Sequence, residues 1–331
     1  MSPFTVVICT RDRPAELERC LASVVELDYP DFHILVVDSC PRHYPAEGLA
    51  RRFGASYLHE PVPGVSRARN RGVRASATEL VALIDDEAVA RPDWLRMLAP
   101  EFDDLDVAVV AGRIKDFEAS TPEEKLCVAL GSNDCGPHRR VVDSTSPQWF
   151  ERACFGGIGN GANLAVRRSV FEDWPGFCEC LGAGTRIPGA EEHYAFFELI
   201  ERGWRAIYSP AAIVSHPFPA MFGTLKARHI RSVSASTAYL AFLWMQQPRF
   251  RGAIARYLWE ACCGVRRSWR GQGEEVSVRI VPAWRRAIAF AAGLGHFALF
   301  LAAGPVPPEP PPRRSALVAQ PARAASGERD R

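Results

Sequence analysis

Apolar positions recur in two rhythms along this chain. Phe4–Cys9, His33–Val37 and Val81–Ile84 are short, unbroken apolar runs rich in β-branched residues, the pattern of strands buried on both faces. Between the first two, Leu17, Cys20, Leu21, Val24 and Val25 recur at helical spacing. Pro14 suits the first turn, so an amphipathic helix is predicted that ends near Asp28-Tyr29-Pro30. Residues 49–53, Ser66–Ser76 and Pro92–Leu98 read as further helices, and Ser56–His59 and Val107–Gly112 as strands. Strands alternating with helices predict βαβ units and a mostly parallel sheet, an α/β fold. Ligands of such sheets bind beyond the carboxyl ends of the strands. Thr10, Asp38 and Asp85-Asp86-Glu87 each follow a strand directly, which places them on one rim.

The second half is less regular. Residues 116–150 have weak periodicity and read as a long excursion with some helix. Phe155–Ala165 is rich in glycine, which permits close backbone approach to a ligand, but lacks the strand-then-helix setting of a dinucleotide fingerprint. Arg167–Asp173 reads as a short helix, Gly182–Gly189 as a flexible loop, and Ala190–Arg202 as a helix stopped by Gly203. Trp204–Tyr208 and Ala212–Ser215 are strand-like, with His216 ending the latter. Beyond residue 224 the pattern becomes helical: Leu225–Gln246, Phe250–Arg267 and Val281–Ala303. Ala287–Gly304 carries no charge and one histidine, but its many Ala and Gly residues favour an interfacial or packed helix over a membrane span. Residues 305–331, rich in Pro, Arg, Ala and Ser, read as a disordered tail.

Charge divides the chain at the same place. Residues 1–223 carry 23 Lys and Arg against 32 Asp and Glu, whereas residues 224–331 carry 17 against 6. An acidic first part that holds an anionic ligand needs a metal or well-placed arginines. The basic second part suits either an anionic membrane surface or a solubilising helix face. Nothing points to nucleic acid. Met1-Ser2-Pro3 leads straight into a strand, so no signal peptide is expected, and ten cysteines without framework spacing fit a reduced cytoplasmic protein. Cys178-x-Cys180 and Cys262-Cys263 lack the spacing and partners of a zinc site and read as core or loop thiols.

Asp85-Asp86-Glu87 concentrates three carboxylates at the end of an apolar strand. Side by side they repel one another, and burying them demands a positive neutraliser. A Mn²⁺ or Mg²⁺ ion holding a phosphorylated ligand would serve, since such ions prefer oxygen ligands. A solvated acidic loop is the plainer alternative.

The ordered set of pieces resembles the family 2 glycosyltransferases with the GT-A fold, over roughly residues 3–220. Val6-Val7-Ile8-Cys9-Thr10-Arg11-Asp12-Arg13-Pro14, the run from Pro63 to Gly72, and Asp85-Asp86-Glu87 look like that family's nucleotide-binding half. Gly159-Asn160-Gly161-Ala162-Asn163, Gly189-Ala190-Glu191-Glu192 and Val214-Ser215-His216 look like its acceptor half. The resemblance implies a GT-A domain over 1–223, divided into a nucleotide-sugar half (1–112) and an acceptor half (113–223). A basic helical extension (224–304) and the tail would follow. It further implies an inverting transferase using a nucleotide sugar, a UDP-sugar first among them, and a glycan, lipid-linked or small-molecule acceptor. The enzyme would work in the cytoplasm, with peripheral contact to the inner membrane face through the C-terminal helices.

By the same resemblance Thr10, Arg11, Asp38, Arg69, Asn70, Asp85 and Asp86 would hold the donor. Glu87 would bind the metal, with His216 either completing its coordination or acting as a structural hydrogen bonder. Gly161 and Asn163 would meet the acceptor. Glu191-Glu192 would supply the catalytic acids, with Glu192 the general base. Asp38 could equally cap a loop, and Arg67, Arg71 and Arg74 read as a solvated basic face. Two departures stand out: Glu87 and Glu192 occupy positions where the family usually has Asp, and His193-Tyr194-Ala195 also differs from its pattern. An arm longer by one methylene displaces a carboxylate, and a shift of about 1 Å can cost roughly a hundredfold in rate. A non-catalytic sugar-nucleotide binder is therefore the first rival. A nucleotidyltransferase is the second, though Thr10–Pro14 lacks its Gly-rich phosphate loop.

Overall fold

The structure is a computed structural model that describes residues 2–122, 124–125, 134–217, 225–262 and 282–303. Its centre is a mixed sheet in the order β3-β2-β1-β4-β8-β6-β9-β5, with β7 paired to β9. The chain runs β1 (Phe4–Thr10), α1 (Pro14–Val25), β2 (Phe32–Ser39), α2 (Glu47–Arg52), β3 (Ser56–Glu60), α3 (Val65–Ala75) and β4 (Leu80–Asp85). These strands pair in parallel, as the alternation predicts. After β5 (Val89–Ala90) and α4 (Trp94–Leu98) come β6 (Val107–Asp116), β7 (Arg140–Val142), α5 (Trp149–Cys154) and β8 (Asn163–Arg167). Then follow α6 (Glu191–Glu201) and β9 (Arg205–His216).

Burial on both faces explains the continuous apolar strands. Side chains alternate across the sheet, so Val7, Val37, Val81 and Leu83 join one core while Val6, Ile8, Val36, Ala82 and Ile84 join the other. The first core is covered by α3, α5 and α6, the second by α1, α2 and α4.

Three features go beyond the expectation. Within the mostly parallel sheet, β8 runs antiparallel between β4 and β6. All five β8 residues are buried, so the strand has no polar alternation to announce it, and the glycine run that precedes it conceals its start. Trp204–Tyr208 and Ala212–Ser215 belong to one strand. Its register against β6 jumps between Gly112↔Ser209 and Arg113↔Ile213, and Pro210, which cannot donate to a ladder, falls in that irregularity. The excursion over 116–150 contains β7 and the start of α5, and its residues 123 and 126–133 lie outside the described residues.

The C-terminal helices are α7 (Leu225–Gln246), α8 (Arg251–Cys262) and α9 (Ala283–Ala303). Tyr239, Phe242, Leu243 and Ile254 enter the same core as Phe150 and Phe197, so α7 and α8 are packed onto the sheet domain. In α9, a Cβ at Gly293 would stand 2.4 Å from the Ser234 carbonyl, so glycine is what lets α7 and α9 touch. The predicted helical residues 263–267 and 281, and the tail 305–331, lie outside the described residues.

Candidate active site

Strand register gathers the first acids. Thr10 pairs with Asp38 across β1 and β2, and Cys9 pairs with Asp85 across β1 and β4, so all three strand ends open on one rim. Asp86 and Glu87 occupy the turn just beyond. The Thr10 hydroxyl donates to Asp86 Oδ2 at 2.7 Å, and Arg13 reaches Asp86 Oδ1 at 3.2 Å and Glu87 Oε2 at 3.3 Å. Burial pushes the Asp86 carboxyl up to about 6, against the pull of Arg13 and Thr10. Arg11, partly exposed, sits in the turn between β1 and α1.

Asp38 is fully buried. Its Oδ2 accepts from the Ala46 N–H at 2.8 Å and the Tyr57 hydroxyl at 3.2 Å, while its Oδ1 has no partner. Burial raises its pKa. Beside it, Asp12 adopts a left-handed backbone (φ 54) and accepts N–H bonds from Arg42, His43 and Tyr44, which fold the β2–α2 loop over the rim. Those bonds hold the Asp12 carboxyl down at about 2.

Arg69 joins the two halves. Only 3% exposed, its guanidinium donates to Asp85 Oδ1 at 3.1 Å, to Glu191 Oε1 at 2.7 Å and to the Gly161 carbonyl at 3.0 Å. Burial opposes its charge, but Glu191 and Asp85 more than restore it. The Gly161 N–H in turn donates to Glu192 Oε1 at 3.3 Å. A Cβ at Gly161 would lie 2.9 Å from the Arg69 guanidinium and would have to push it aside.

Glu191 and Glu192 open α6 behind Ala190, whose left-handed backbone (φ 63) is strained for a residue with a Cβ. Both are buried. Burial and the neighbouring Glu192 charge push Glu191 up to about 7 despite Arg69, and burial likewise raises Glu192.

At the far end of β9, His216 Nε2 lies 3.1 Å from Glu87 Oε1. Its Nδ1 lies 3.0 Å from the Pro217 carbonyl, which can only accept, so Nδ1 carries a proton. Nε2 then faces a carboxylate and needs a second proton or a cation between them. Burial lowers the His216 pKa, but Glu87 and Asp85 outweigh it and the net shift is upward. A carboxylate and an imidazole side by side fit a divalent ion, manganese better than magnesium. Among the described residues no group of three or more His, Cys, Asp and Glu could hold a metal alone.

Several expected site residues are spent on the scaffold. Asn70 donates to the Phe177 carbonyl at 2.8 Å and accepts its N–H at 2.7 Å, clipping the 175–179 loop to α3, so it does not face a donor. Asn163 is fully buried. It accepts from Trp94 Nε1 and donates to the carbonyls of Arg113 and Ala212, which leaves no reach toward an acceptor. Arg67 is also buried, paired with Glu179 at 2.9 Å rather than solvated, and Arg71 pairs with Glu60. Arg13, Asp12 and Tyr57 carry no individual signal in the sequence. Their roles depend on loops folding back, which no local spacing reveals. Cys178 and Cys180 approach to 2.8 Å between sulfurs.

Comparison with known proteins decides the family. The model of glycosyl transferase family 2 matches residues 5–174. The chain belongs to glycosyltransferase family 2. It is 30% identical over 217 residues to the pre-mycofactocin glycosyltransferase of Mycobacterium tuberculosis, covering 64% of this chain but only 42% of that protein. It is 26% identical to the glucosyl-dolichyl phosphate glucuronosyltransferase of Haloferax volcanii, covering 64% of this chain and 68% of that one. The fold matches a mannosyltransferase of Pyrobaculum calidifontis, solved with GDP-Man and Mn²⁺, with a TM-score of 0.54 and 20% identity over 92% of this chain and 76% of that one. The mixed α/β sheet with flanking helices is the GT-A fold that the motifs implied.

Proposed function

We propose that this chain is an inverting glycosyltransferase that moves a sugar from a nucleoside diphosphate sugar to an acceptor hydroxyl, with Glu192 as general base. The observation that carries the reading is Arg69, one guanidinium that grips Asp85 of the nucleotide half and Glu191 of the acceptor half. Glu192 is thereby left beside the rim, where it accepts the Gly161 N–H. Its raised pKa suits a base that must draw a proton from a hydroxyl.

Asp38 offers its unpaired Oδ1 to a base N–H or ribose hydroxyl, and Asp85 meets the ribose or sugar. Thr10 and Arg13 fix Asp86 and Glu87 in place. Glu87 and His216 would hold the cation, together with the donor's phosphates. When bound, the cation offsets the charge that grows on the leaving diphosphate. The Mn²⁺ and GDP-Man in the Pyrobaculum calidifontis mannosyltransferase agree with this reading. The basic helical end, with Trp284, Ile288, Phe290 and Leu294 exposed along α9, suits docking on an anionic membrane from the cytoplasmic side. In length and composition α9 could also cross a membrane. The acceptor is then a glycan, lipid-linked or small-molecule hydroxyl at that surface.

The test is release of nucleoside diphosphate from UDP- and GDP-sugars with Mn²⁺. The wild type is expected to turn over a donor, and Glu192→Gln to lose about 10²–10⁴-fold in rate, the usual worth of a general base. Equal rates at background level in the two would leave a sugar-nucleotide binder.

A further inference from the structure

A cavity of about 160 Å³ opens between α6, α7 and α8, immediately beside the catalytic turn. Gly189, Ala190 and His193, which bracket Glu191 and Glu192 in sequence, form one wall. The opposite wall comes from Ser232, Ser236 and Tyr239 of α7 and Tyr257 of α8. Tyr257 stacks on Phe155 with ring centroids 4.0 Å apart, which fixes the Tyr257 ring at the cavity wall.

The chemistry of the lining is selective. Among the described residues it contains no Asp, Glu, Lys or Arg, so a phosphate or carboxylate entering it would be desolvated without a countercharge. It presents aromatic faces next to hydroxyls and one imidazole. A neutral polyhydroxylated ring fits both features, with C–H groups against the rings and hydroxyls toward serine, tyrosine and histidine.

We infer that this cavity is the acceptor subsite and that it seats a neutral sugar ring. The helices after residue 224 build half of it. The assignment rests on the transferase reading of the neighbouring acids, and it moves acceptor recognition away from Asn163 to the junction of α6, α7 and α8.

Saturation-transfer NMR on the full chain, with the methyl glycosides of glucose, mannose and N-acetylglucosamine as probes, tests it. At least one glycoside is expected to bind the wild type. Ser236→Trp, which fills the mouth from an exposed position, and Tyr257→Leu, which removes the stack, should each weaken that binding at least tenfold. If Tyr257→Leu does not fold, Ser236→Trp decides alone. No signal from any of the three glycosides, or equal affinity in wild type and Ser236→Trp, overturns the assignment. Titration of UDP- and GDP-sugars with Mn²⁺ into the wild type reads the donor site separately. Its failure would count against the transferase reading, while the glycoside result would stand as evidence about the cavity.

Discussion

Arg69 is the residue on which both halves of the site depend, and its replacement should show in two ways. Arg69→Met removes one partner from a buried network and leaves Glu191 and Asp85 uncompensated. A loss of about 3–5 kcal/mol is expected in urea unfolding. Arg69→Lys keeps the charge but cannot match a planar fork to three acceptors. It should fold and yet lose more in kcat than in donor affinity. Glu192 makes a different prediction. Its folded-state pKa lies above the ordinary 4.5, so the carboxylate is destabilising at high pH, and that penalty fades as pH falls through the folded value toward 4.5. Thermal melts of Glu192→Gln at pH 8 should therefore lie above wild type by about 2–4 °C for each kcal/mol relieved. The two curves should converge near pH 4.5. By the same sign, the acid limb of kcat/KM belongs above the usual glutamate range, because the base must be ionised to act.

At this scale the sequence showed which acids exist but not where each side chain points. Asp38 and Asp85 could be picked out because each stands at a strand end, and Glu192 through the resemblance that its Glu-Glu pair carries. Asn70 and Asn163 stand in equally suggestive motifs, yet their amides are consumed by Phe177, Trp94, Arg113 and Ala212.

Among the elements, α3 places Arg69, and it can do so because Gly72 lets it lie directly on β1. A Cβ at Gly72 would come within 2.5 Å of Val7 Cγ1. Gly72→Ala should cost about 1–3 kcal/mol by overpacking, and Val7→Ala in the same chain should recover part of it by making room. Urea denaturation of the single and double variants checks both. Strands and helices of the first 112 residues were legible because β-branched runs and helical spacing are local signals. β8 was not, since Asn163 and Arg167 cut its apolar run to three residues and a glycine-rich stretch precedes it. Nor was the joining of 204–208 to 212–215, which depends on the β6 register.

Over the whole molecule, charge and apolar surface are distributed to a purpose. The acids gather at the carboxyl ends of the strands, while basic and exposed aromatic residues collect on α7, α8 and α9, where Trp244, Trp259 and Trp284 face outward. Vesicles containing anionic lipid should bind the full chain, and Arg285→Glu with Arg286→Glu should release it at ordinary ionic strength without altering donor turnover. Co-sedimentation at low and high salt reads this directly. The break near residue 224 was visible in composition, but the sharing of one core by α7 and α8 with the sheet was not, because that contact joins residues far apart in sequence.

Convergence of acids from distant segments on a single cation-and-diphosphate site can be seen by anomalous diffraction from crystals grown with a nucleoside diphosphate and Mn²⁺. One manganese peak is expected in coordination contact with Glu87 and His216, with the diphosphate on the same ion and the base over Asp38. A nucleotide bound away from that rim, or manganese on other residues, would contradict it.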